Sequence, residues 1–316
     1  MSTYKKINVL PYDSKWPLLF EAEEKCIREA LGTSCIEVHH IGSTSVPKLS
    51  AKQDLDICLV IDRLANSVNL EKIGYVFKGE INILFRNFFS KNTLDSKVNL
   101  HVVERGHNFV NLNLCFRDYL RSHEDTRMAY QELKLTLAAD PFNFERVEGR
   151  FPRYTLEKNK FIKETLKKAG YNACGAVHCT HFDEWETVKV FRQKYFFDNA
   201  PIADPHTWTF NHKDHAHIVY YKGVVLVGYA HIEFWPDQCA AMRIMVIDEP
   251  YRKQGFGGKL LNLCERWLKE KGCKRLHMES FAHAYNFYKK NGFIEMPFTP
   301  PEGYADPREI AMGKVL

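Results

Sequence analysis

Apolar positions recur along this chain in two periods, and their alternation predicts strands and helices in turn. Ala241-Met242-Arg243-Ile244-Met245-Val246-Ile247 is an apolar, β-branched run that reads as a buried strand. Leu260, Leu261, Leu263, Cys264, Trp267 and Leu268 then return at helical spacing as far as Gly272, a residue suited to the position just past a helix end. Arg275 to Ser280 predicts a second short strand, and His283 to Phe293 a short helix with a glycine beyond its last turn. Upstream, His217 to Tyr221 and Val224 to Glu233 flank Lys222-Gly223 as a hairpin. Trp185, Val188, Val190, Phe191 and Tyr195 predict a helix after a first strand near Ala176 to Cys179, and Glu309 to Val315 a closing strand. In the other half, residues 14 to 31 read as an amphipathic helix, with Ser14 as its cap, Pro17 in its first turn and Gly32 as its stop.

Between the first strand and helix named above lies Arg252-Lys253-Gln254-Gly255-Phe256-Gly257. A glycine-bearing loop that opens a helix exposes backbone N–H groups at the positive end of the helix dipole, which suits an anion. Glycines let the backbone approach a bulky phosphate without a Cβ in the way. Taken alone, this spacing equally describes a glycine turn before an ordinary helix. The second element, Ala284-Tyr285-Asn286-Phe287-Tyr288-Lys289-Lys290-Asn291-Gly292-Phe293, adds to it. Together they resemble the cofactor half of the GNAT acyltransferases, whose pattern is Q/R-x-x-G-x-G/A followed by A-x-x-F-Y-x-K-x-G-F. The resemblance covers roughly residues 175 to 316 and implies a mixed sheet flanked by helices, with acetyl-CoA as cofactor. It places the pyrophosphate on the loop and the pantetheine arm as an added strand beside Val246 and Ile247. The cofactor site it implies comprises Val246, Ile247, Arg252, Lys253, Gln254, Gly255, Phe256, Gly257, Gly258, Lys259 and Asn286.

Acetyl transfer to an amine requires a base for the amine, donors for the oxyanion and a proton for the departing thiolate. Tyr288 occupies the position that supplies this proton in many GNAT enzymes; otherwise it is a core aromatic beside Phe287 and Phe293. Glu233 and His231 lie two apart on one strand, hence on one face, and either could accept the amine proton or mark a solvated strand end. Arg243 could bind an anionic substrate or pair with a carboxylate. Phe281 stands where many GNAT proteins carry an asparagine, a departure that puts one hydrogen bond in doubt. His206, His212, His215 and His217 cluster near a variable loop, residues 196 to 216, and read as solvated or substrate-lining. Trp208 and Phe210 line an acceptor pocket or serve packing. The acceptor itself is expected to be a small-molecule primary amine, shaped by that loop and by residues 296 to 308.

The N-terminal half carries His40-Ile41-Gly42-Ser43-Thr44-Ser45-Val46-Pro47-Lys48-Leu49-Ser50-Ala51-Lys52-Gln53-Asp54-Leu55-Asp56-Ile57. This resembles the GrpB-like family, through His101-Val102-Val103-Glu104 and Phe116-Arg117-Asp118-Tyr119-Leu120-Arg121, over about residues 4 to 170. The resemblance implies a nucleotidyltransferase-type fold. Gly42-Ser43 followed by Asp54 and Asp56 matches the nucleotidyltransferase form, with two carboxylates on one strand face. Such a pair repels itself unless a divalent cation such as Mg²⁺ lies between, so Asp54 and Asp56 are candidate metal ligands and Gly42, Ser43 and Lys52 candidate nucleotide contacts. The third carboxylate expected on a neighbouring strand is replaced by Asn99 or His101, and Lys48 and Gln53 replace the family's usual Gly and Pro. The domain is therefore expected to be a metal-dependent transferase, a nucleotide or anion binder, or a structural or substrate-presenting part.

The 316 residues and a 45% hydrophobic content suit two cores. The glycine-punctuated stretch Lys167 to Gly175 reads as a linker, which sets the expected domains at 1–172 and 173–316. The fold class expected is α/β (α+β): a nucleotidyltransferase-like mixed sheet with helices, then the GNAT sheet. A net charge of +5 without a dense basic run argues against a nucleic-acid groove. No apolar run reaches membrane-spanning length, and Met1 to Ser14 lack the apolar core of a signal peptide. Nine scattered cysteines with no C-x-x-C pair fit reduced thiols in a cytoplasmic protein. The leading expectation is an acetyl-CoA-dependent N-acetyltransferase with an accessory or nucleotide-binding GrpB-like domain. Its alternatives are a Mg²⁺-dependent nucleotidyltransferase with the GNAT half as a CoA sensor, and a pair of ligand sensors without turnover.

Overall fold

The computed structural model describes residues 7–94, 96–147, 151–197, 203–300 and 308–316. Parts of the two variable loops expected to shape the acceptor site, residues 198–202 and 301–307, lie outside them. The chain divides into two compact units, Met1–Gly175 and Ala176–Leu316.

The first unit begins with helix α1 (Lys15–Leu31) and strands β1 (Cys35–Ile41) and β2 (Asp54–Ile61). Strands β3 (Val76–Phe77), β4 (Arg86–Asn92) and β5 (Lys97–Glu104) complete a sheet of order β1-β2-β5-β4-β3. Strand β2 runs parallel to β5 and antiparallel to β1. Helices α2 (Asn108–Ser122) and α3 (Glu124–Ala139) follow, then the short pair β6 (Arg146–Val147) and β7 (Phe151–Pro152), and helices α4 (Arg153–Leu156) and α5 (Asn159–Lys168). Alternation along β2 sends Leu55, Ile57, Leu59 and Ile61 into a core with Ile27 and Leu31 of α1. The opposite parity sends Cys58 and Val60 against Phe109, Val110 and Leu114 of α2. Asp54 and Asp56 belong to this second face, just before its apolar part begins. A further cluster joins Val46 and Leu49 to Leu120, Tyr130 and Phe161 of the helices.

The second unit comprises β8 (Cys174–His178), α6 (Phe182–Arg192), β9 (His215–Lys222), β10 (Val225–Trp235), β11 (Cys239–Ile247), α7 (Phe256–Glu270), β12 (Arg275–Ser280), α8 (Ala282–Lys290), β13 (Ile294–Glu295) and β14 (Ile310–Val315). Its seven strands lie in the order β13-β14-β12-β11-β10-β9-β8. The ladders β9–β10, β10–β11, β12–β14 and β13–β14 are antiparallel, and β11–β12 is parallel. Trp185, Val188 and Phe191 of α6 pack on Val219, Tyr229, Ile244 and Val246, one face of three neighbouring strands. Helix α7 covers the other face with Leu260, Leu261, Cys264, Trp267 and Leu268, and its Trp267 meets Phe234 of β10.

Several expectations shift in detail. Val225 pairs with Lys222, so the hairpin turn is Gly223-Val224 and not Lys222-Gly223; Gly223 takes the positive φ the turn requires. Val190 is 61% exposed and does not belong to the buried stripe of α6. That helix continues as a π turn over Gln193–Phe197, which displaces Tyr195 from ideal helical spacing. Ser14 makes no capping bond; the Asp13 Oδ1 accepts from the Lys15 N–H at 2.9 Å instead. The expected linker is ordered structure at both ends, with Lys167 and Lys168 in the last turn of α5 and Cys174 opening β8. None of the nine cysteines is in a disulfide. Among the described residues no helix is long and apolar enough to cross a membrane.

Candidate functional site

Strands β11 and β12 set the site in the second unit. Their parallel ladder holds only over Cys239–Ala241 against Arg275–His277. From Met242 onward β11 keeps its partner β10 but, among the described residues, has no ladder partner on the β12 side, so the two strands splay. That leaves a row of β11 backbone groups facing a gap, the geometry an extended ligand can join as an added strand. His231 pairs with Ile244 and Ile232 with Met242, so Arg243 is an extra residue bulged out of β11 where the splay opens. Val246 and Ile247 lie on this stretch of β11. Each splayed strand then passes into a helix start, α7 after β11 and α8 after β12. A crevice at the carboxyl ends of parallel strands is a common ligand position in α/β sheets.

The glycine loop lies at this end. Lys253 and Gly255 both have positive φ, +60° and +82°, a backbone form that turns successive N–H groups into one concavity. The first bond into α7 is Lys259 N–H to Gly255 O at 3.2 Å, so the Phe256, Gly257 and Gly258 N–H groups precede the helical ladder. A Cβ on Gly255 would meet nothing within 4 Å, whereas one on Gly257 would touch the Phe287 ring at 3.4 Å. The space over Gly255 is thus open, and α8 packs beside the loop through Phe287. Arg252 is held by its Nε–H to the Ile247 carbonyl at 2.9 Å and by the Tyr195 ring, 4.7 Å from its guanidinium carbon. Gln254 donates to the Pro250 carbonyl at 2.9 Å, which braces the loop rather than aiming its amide outward. Phe256 is buried, and the Lys259 ammonium lies 5.6 Å from its ring. Asn286 is exposed. Phe281 precedes α8 without a side-chain cap bond and is 40% exposed, as an asparagine substitute with no polar group must be.

Tyr288 is buried against Phe287 and Phe293, and burial pushes its phenol up to about 12. Among the described residues its hydroxyl has no hydrogen-bond partner, so no acceptor there competes for its proton. Glu233 accepts from Arg243 Nε at 2.7 Å, and Arg243 also reaches Glu279 of β12 at 3.7 Å. A row of polar side chains therefore crosses from β10 to β12 beside the bulge. Arg243 is held between two carboxylates, which answers the choice left open for it in favour of carboxylate pairing. His231 takes a different place from the base expected of it. It is 3% exposed, its Nδ1 is 3.3 Å from Arg192 Nη1 and its Nε2 3.0 Å from His215 Nδ1. With both ring nitrogens engaged and burial holding its pKa well below the usual imidazole range, it is a neutral relay member. Arg192, Asp204, Tyr229 and Glu279 were not singled out from sequence; an arginine on an amphipathic helix reads as solvated, and only the fold buries it.

In the first unit, Gly42 has φ +70°, and a Cβ there would lie 2.3 Å from Asp56 Oδ2. Glycine is required because the loop backbone closes directly over that carboxylate. Ser43 lies near enough to the Tyr130 phenol to lower its pKa against the rise caused by burial, and Ser45 Oγ donates to the Gly42 carbonyl at 2.6 Å. Asp54 pairs with Lys52 at 3.4 Å. Asn99, directly opposite Asp56 on β5, donates its amide to Asp56 Oδ1 at 3.0 Å. His101 faces Arg86 instead, with its Nδ1 3.1 Å from the guanidinium. Lys158 and Lys134, neither foreseen, lie under the same loop: burial lowers them to about 8 and about 7, and Lys134 Nζ donates to the Ser50 carbonyl.

This arrangement corrects the expectation of a cation between Asp54 and Asp56. The third group is an amide that presents N–H to Asp56, and the neighbouring charges are lysines, so the donor set does not fit Mg²⁺. Among the described residues no three His, Cys, Asp or Glu side chains are grouped to hold a metal ion. Desolvation pushes the Asp56 pKa up, and Asp54 adds to the rise, against the Asn99 bond and the lysines. A folded pKa above the unfolded value of about 3.9 means that the folded state binds more protons, so stability falls as pH rises between the two values. Asp56→Asn is accordingly expected to raise the melting temperature of the first unit at pH 7, with the gain fading as pH falls towards 4. A lowered melting temperature at pH 7, together with Mg²⁺ stabilising the wild type, would restore the metal site.

Residues 6–168 match the family model for GrpB protein, and residues 180–293 that for the acetyltransferase (GNAT) family. A UPF0157 protein of Halalkalibacterium halodurans is 35% identical over 167 residues, which span 52% of this chain and 82% of that protein. The crystal structure of conserved protein GrpB from Enterococcus faecalis aligns at 30% identity and a TM-score of 0.45, covering 51% of this chain and 96% of that one. A GNAT-family acetyltransferase structure from Staphylococcus aureus aligns at 16% identity and a TM-score of 0.39, covering 45% of this chain and 99% of that one.

Proposed function

We propose that this chain, which belongs to the GrpB family through its N-terminal half and carries a GNAT acetyltransferase domain after it, is an acetyl-CoA-dependent N-acetyltransferase acting on a small primary amine. The observation that carries the reading is the splay of β11 from β12 ending at the α7 N-terminus. The Ile244–Val246 stretch of β11, past the end of its ladder with β12, suits the amide-bearing pantetheine arm, and the Phe256, Gly257 and Gly258 N–H groups that precede the α7 ladder suit the pyrophosphate. Arg252, Lys253 and Lys259 add positive charge to the loop, while Gly258, the third residue of the helix, adds an N–H without bulk.

The thioester would then lie near the bulge at Arg243, with Glu233 on one side and α8 on the other. Glu233 takes the amine proton, directly or through water, and Tyr288 returns one to the thiolate of coenzyme A. The attacking nitrogen forms the new amide bond as the carbon–sulfur bond breaks, so one proton leaves the amine and one reaches sulfur. The N-terminal unit is assigned an accessory role. Its Gly42, Ser43 and Lys52 loop, underlain by Lys134 and Lys158, favours an anion such as a nucleotide phosphate over metal chemistry.

Incubation with acetyl-CoA and a panel of polyamines, aminoglycosides, amino acids and peptides, followed by thiol release, tests the activity. Amine-dependent release with formation of the acetylated amine is expected. Saturable acetyl-CoA binding with no release from any amine would reduce the domain to a CoA sensor.

A further inference from the structure

The buried polar side chains of α6, β9 and β10 form one hydrogen-bond chain whose direction is set by its donors. Arg192, 1% exposed, is clamped by the Asp204 carboxylate through Nε and Nη2, the latter at 3.0 Å. Its Nη1 points the other way, at the Tyr229 hydroxyl (3.2 Å) and at His231 Nδ1 (3.3 Å). A guanidinium can only donate, so His231 Nδ1 must be the acceptor and its proton must sit on Nε2. His231 Nε2–H then donates to His215 Nδ1 at 3.0 Å. His215 is left with its own proton on Nε2.

The second branch closes independently. His217 Nε2 lies 3.1 Å from the Thr209 carbonyl, which can only accept, so His217 too carries its proton on Nε2. Its Nδ1 then accepts from the Tyr229 hydroxyl at 2.7 Å, and that hydroxyl is free to donate because it accepts from Arg192. Both branches agree, and burial keeps His231 and His217 neutral, the latter at about 3. His215 is half-buried, its ring set edge-on to the exposed Trp208 at 5.3 Å, and its Nε2 has no partner among the described residues.

His215 is the cross-strand neighbour of Glu233, so the two side chains share a face with Cβ atoms about 5 Å apart. Glu233, Arg243, Asp214, His212 and His231 are the charged or titratable groups around it. We propose that His215 reads the acceptor: its Nε2–H, fixed as a donor by Arg192, binds a neutral oxygen two carbons from the amine that Glu233 deprotonates. The substrate class is thus a 1,2-amino alcohol or an α-amino carbonyl compound such as an amide. A carboxylate in that position would face the Glu233 carboxylate, whose charge is already paired with Arg243. The proposal rests on the acetyltransferase reading, and it makes His215 a specificity residue and Arg192 a positioning residue.

The test compares kcat/KM for ethanolamine, glycinamide, propylamine and glycine, with acetyl-CoA binding measured separately. Ethanolamine or glycinamide is expected to exceed propylamine and glycine about tenfold or more, the equivalent of one hydrogen bond. In His215→Phe the ratio to propylamine should fall to about one, a readout that general loss of activity does not move. Long-range ¹H–¹⁵N spectra of the wild type should show His215, His217 and His231 as Nε2–H tautomers near neutral pH, which tests the role of Arg192 without a substitution. Equal rates for ethanolamine and propylamine, or an Nδ1–H tautomer at His215, would overturn the assignment while leaving the acetyltransferase intact. Absence of acetyl-CoA binding would instead remove the activity and the assignment with it. Binding without turnover of any of the four amines would also count against the assignment.

Discussion

Gly255→Val/Gly257→Val is expected to weaken acetyl-CoA binding about 100-fold or more while the chain stays folded. The open volume over Gly255 and the three N–H groups that precede the α7 ladder are where a pyrophosphate would approach. A valine at 255 fills that volume, and one at 257 pushes its methyls towards Phe287, 3.4 Å from the Cβ position. Losing two charge-assisted hydrogen bonds, each about 1.5 kcal/mol or more, accounts for the predicted change. Strain at the positive φ of residue 255 adds about 1–2 kcal/mol to folding, which a melting curve reports separately. Gly272→Val supplies the control, because Gly272 also has positive φ (+83°) with empty space around its Cβ but lies past the far end of α7. Titration calorimetry decides the matter: unchanged affinity in the double variant, or an equal loss in the control, removes the loop from the cofactor site.

Tyr288→Phe is expected to lower kcat about 100-fold with acetyl-CoA affinity unchanged, the range typical of a lost general acid. The substitution keeps the ring between Phe287 and Phe293 and deletes one hydroxyl that bonds nothing else among the described residues. Stability should therefore change little, since the substitution breaks no hydrogen bond among the described residues and the hydroxyl is not one of the buried polar atoms left without a partner. A phenol pushed up to about 12 stays protonated through the working pH range, so any alkaline fall in kcat below about pH 10 must come from another group. Steady-state kinetics with calorimetric affinity separate the effects; full turnover in the variant would strip Tyr288 of the role.

Local chemistry was legible wherever neighbours in sequence are neighbours in space. The glycine loop, its flanking β11 and α7, and the Asp54–Asp56 spacing on β2 all follow from periodicity and from residues that tolerate few backbones. The hairpin turn slipped by one residue because Lys222 and Val224 are both compatible with strand or turn, and only cross-strand pairing chose between them. Val190 was grouped with the core because a helix pattern does not say which of two adjacent apolar residues faces the sheet. The Asp54–Asp56 pair suggested a cation since repulsion between carboxylates is visible in sequence. Its relief was not, because Asn99, Lys52 and Lys158 come from three other stretches of chain.

By itself the sequence determined membership of the GrpB family, the resemblance of the second half to GNAT acetyltransferases, the order of most elements and the glycine loop, all of which are carried by segments contiguous in the chain. Only the tertiary structure decided which groups are free to act. The splay of β11 from β12 depends on where a ladder between two non-adjacent segments stops. The loss of His231 as a base and the emergence of His215 as a donor depend on Arg192, buried by packing from a helix some forty residues away. Hydrogen-bond direction is set by which donor has no alternative, and that is a property of assembled neighbours rather than of any one segment.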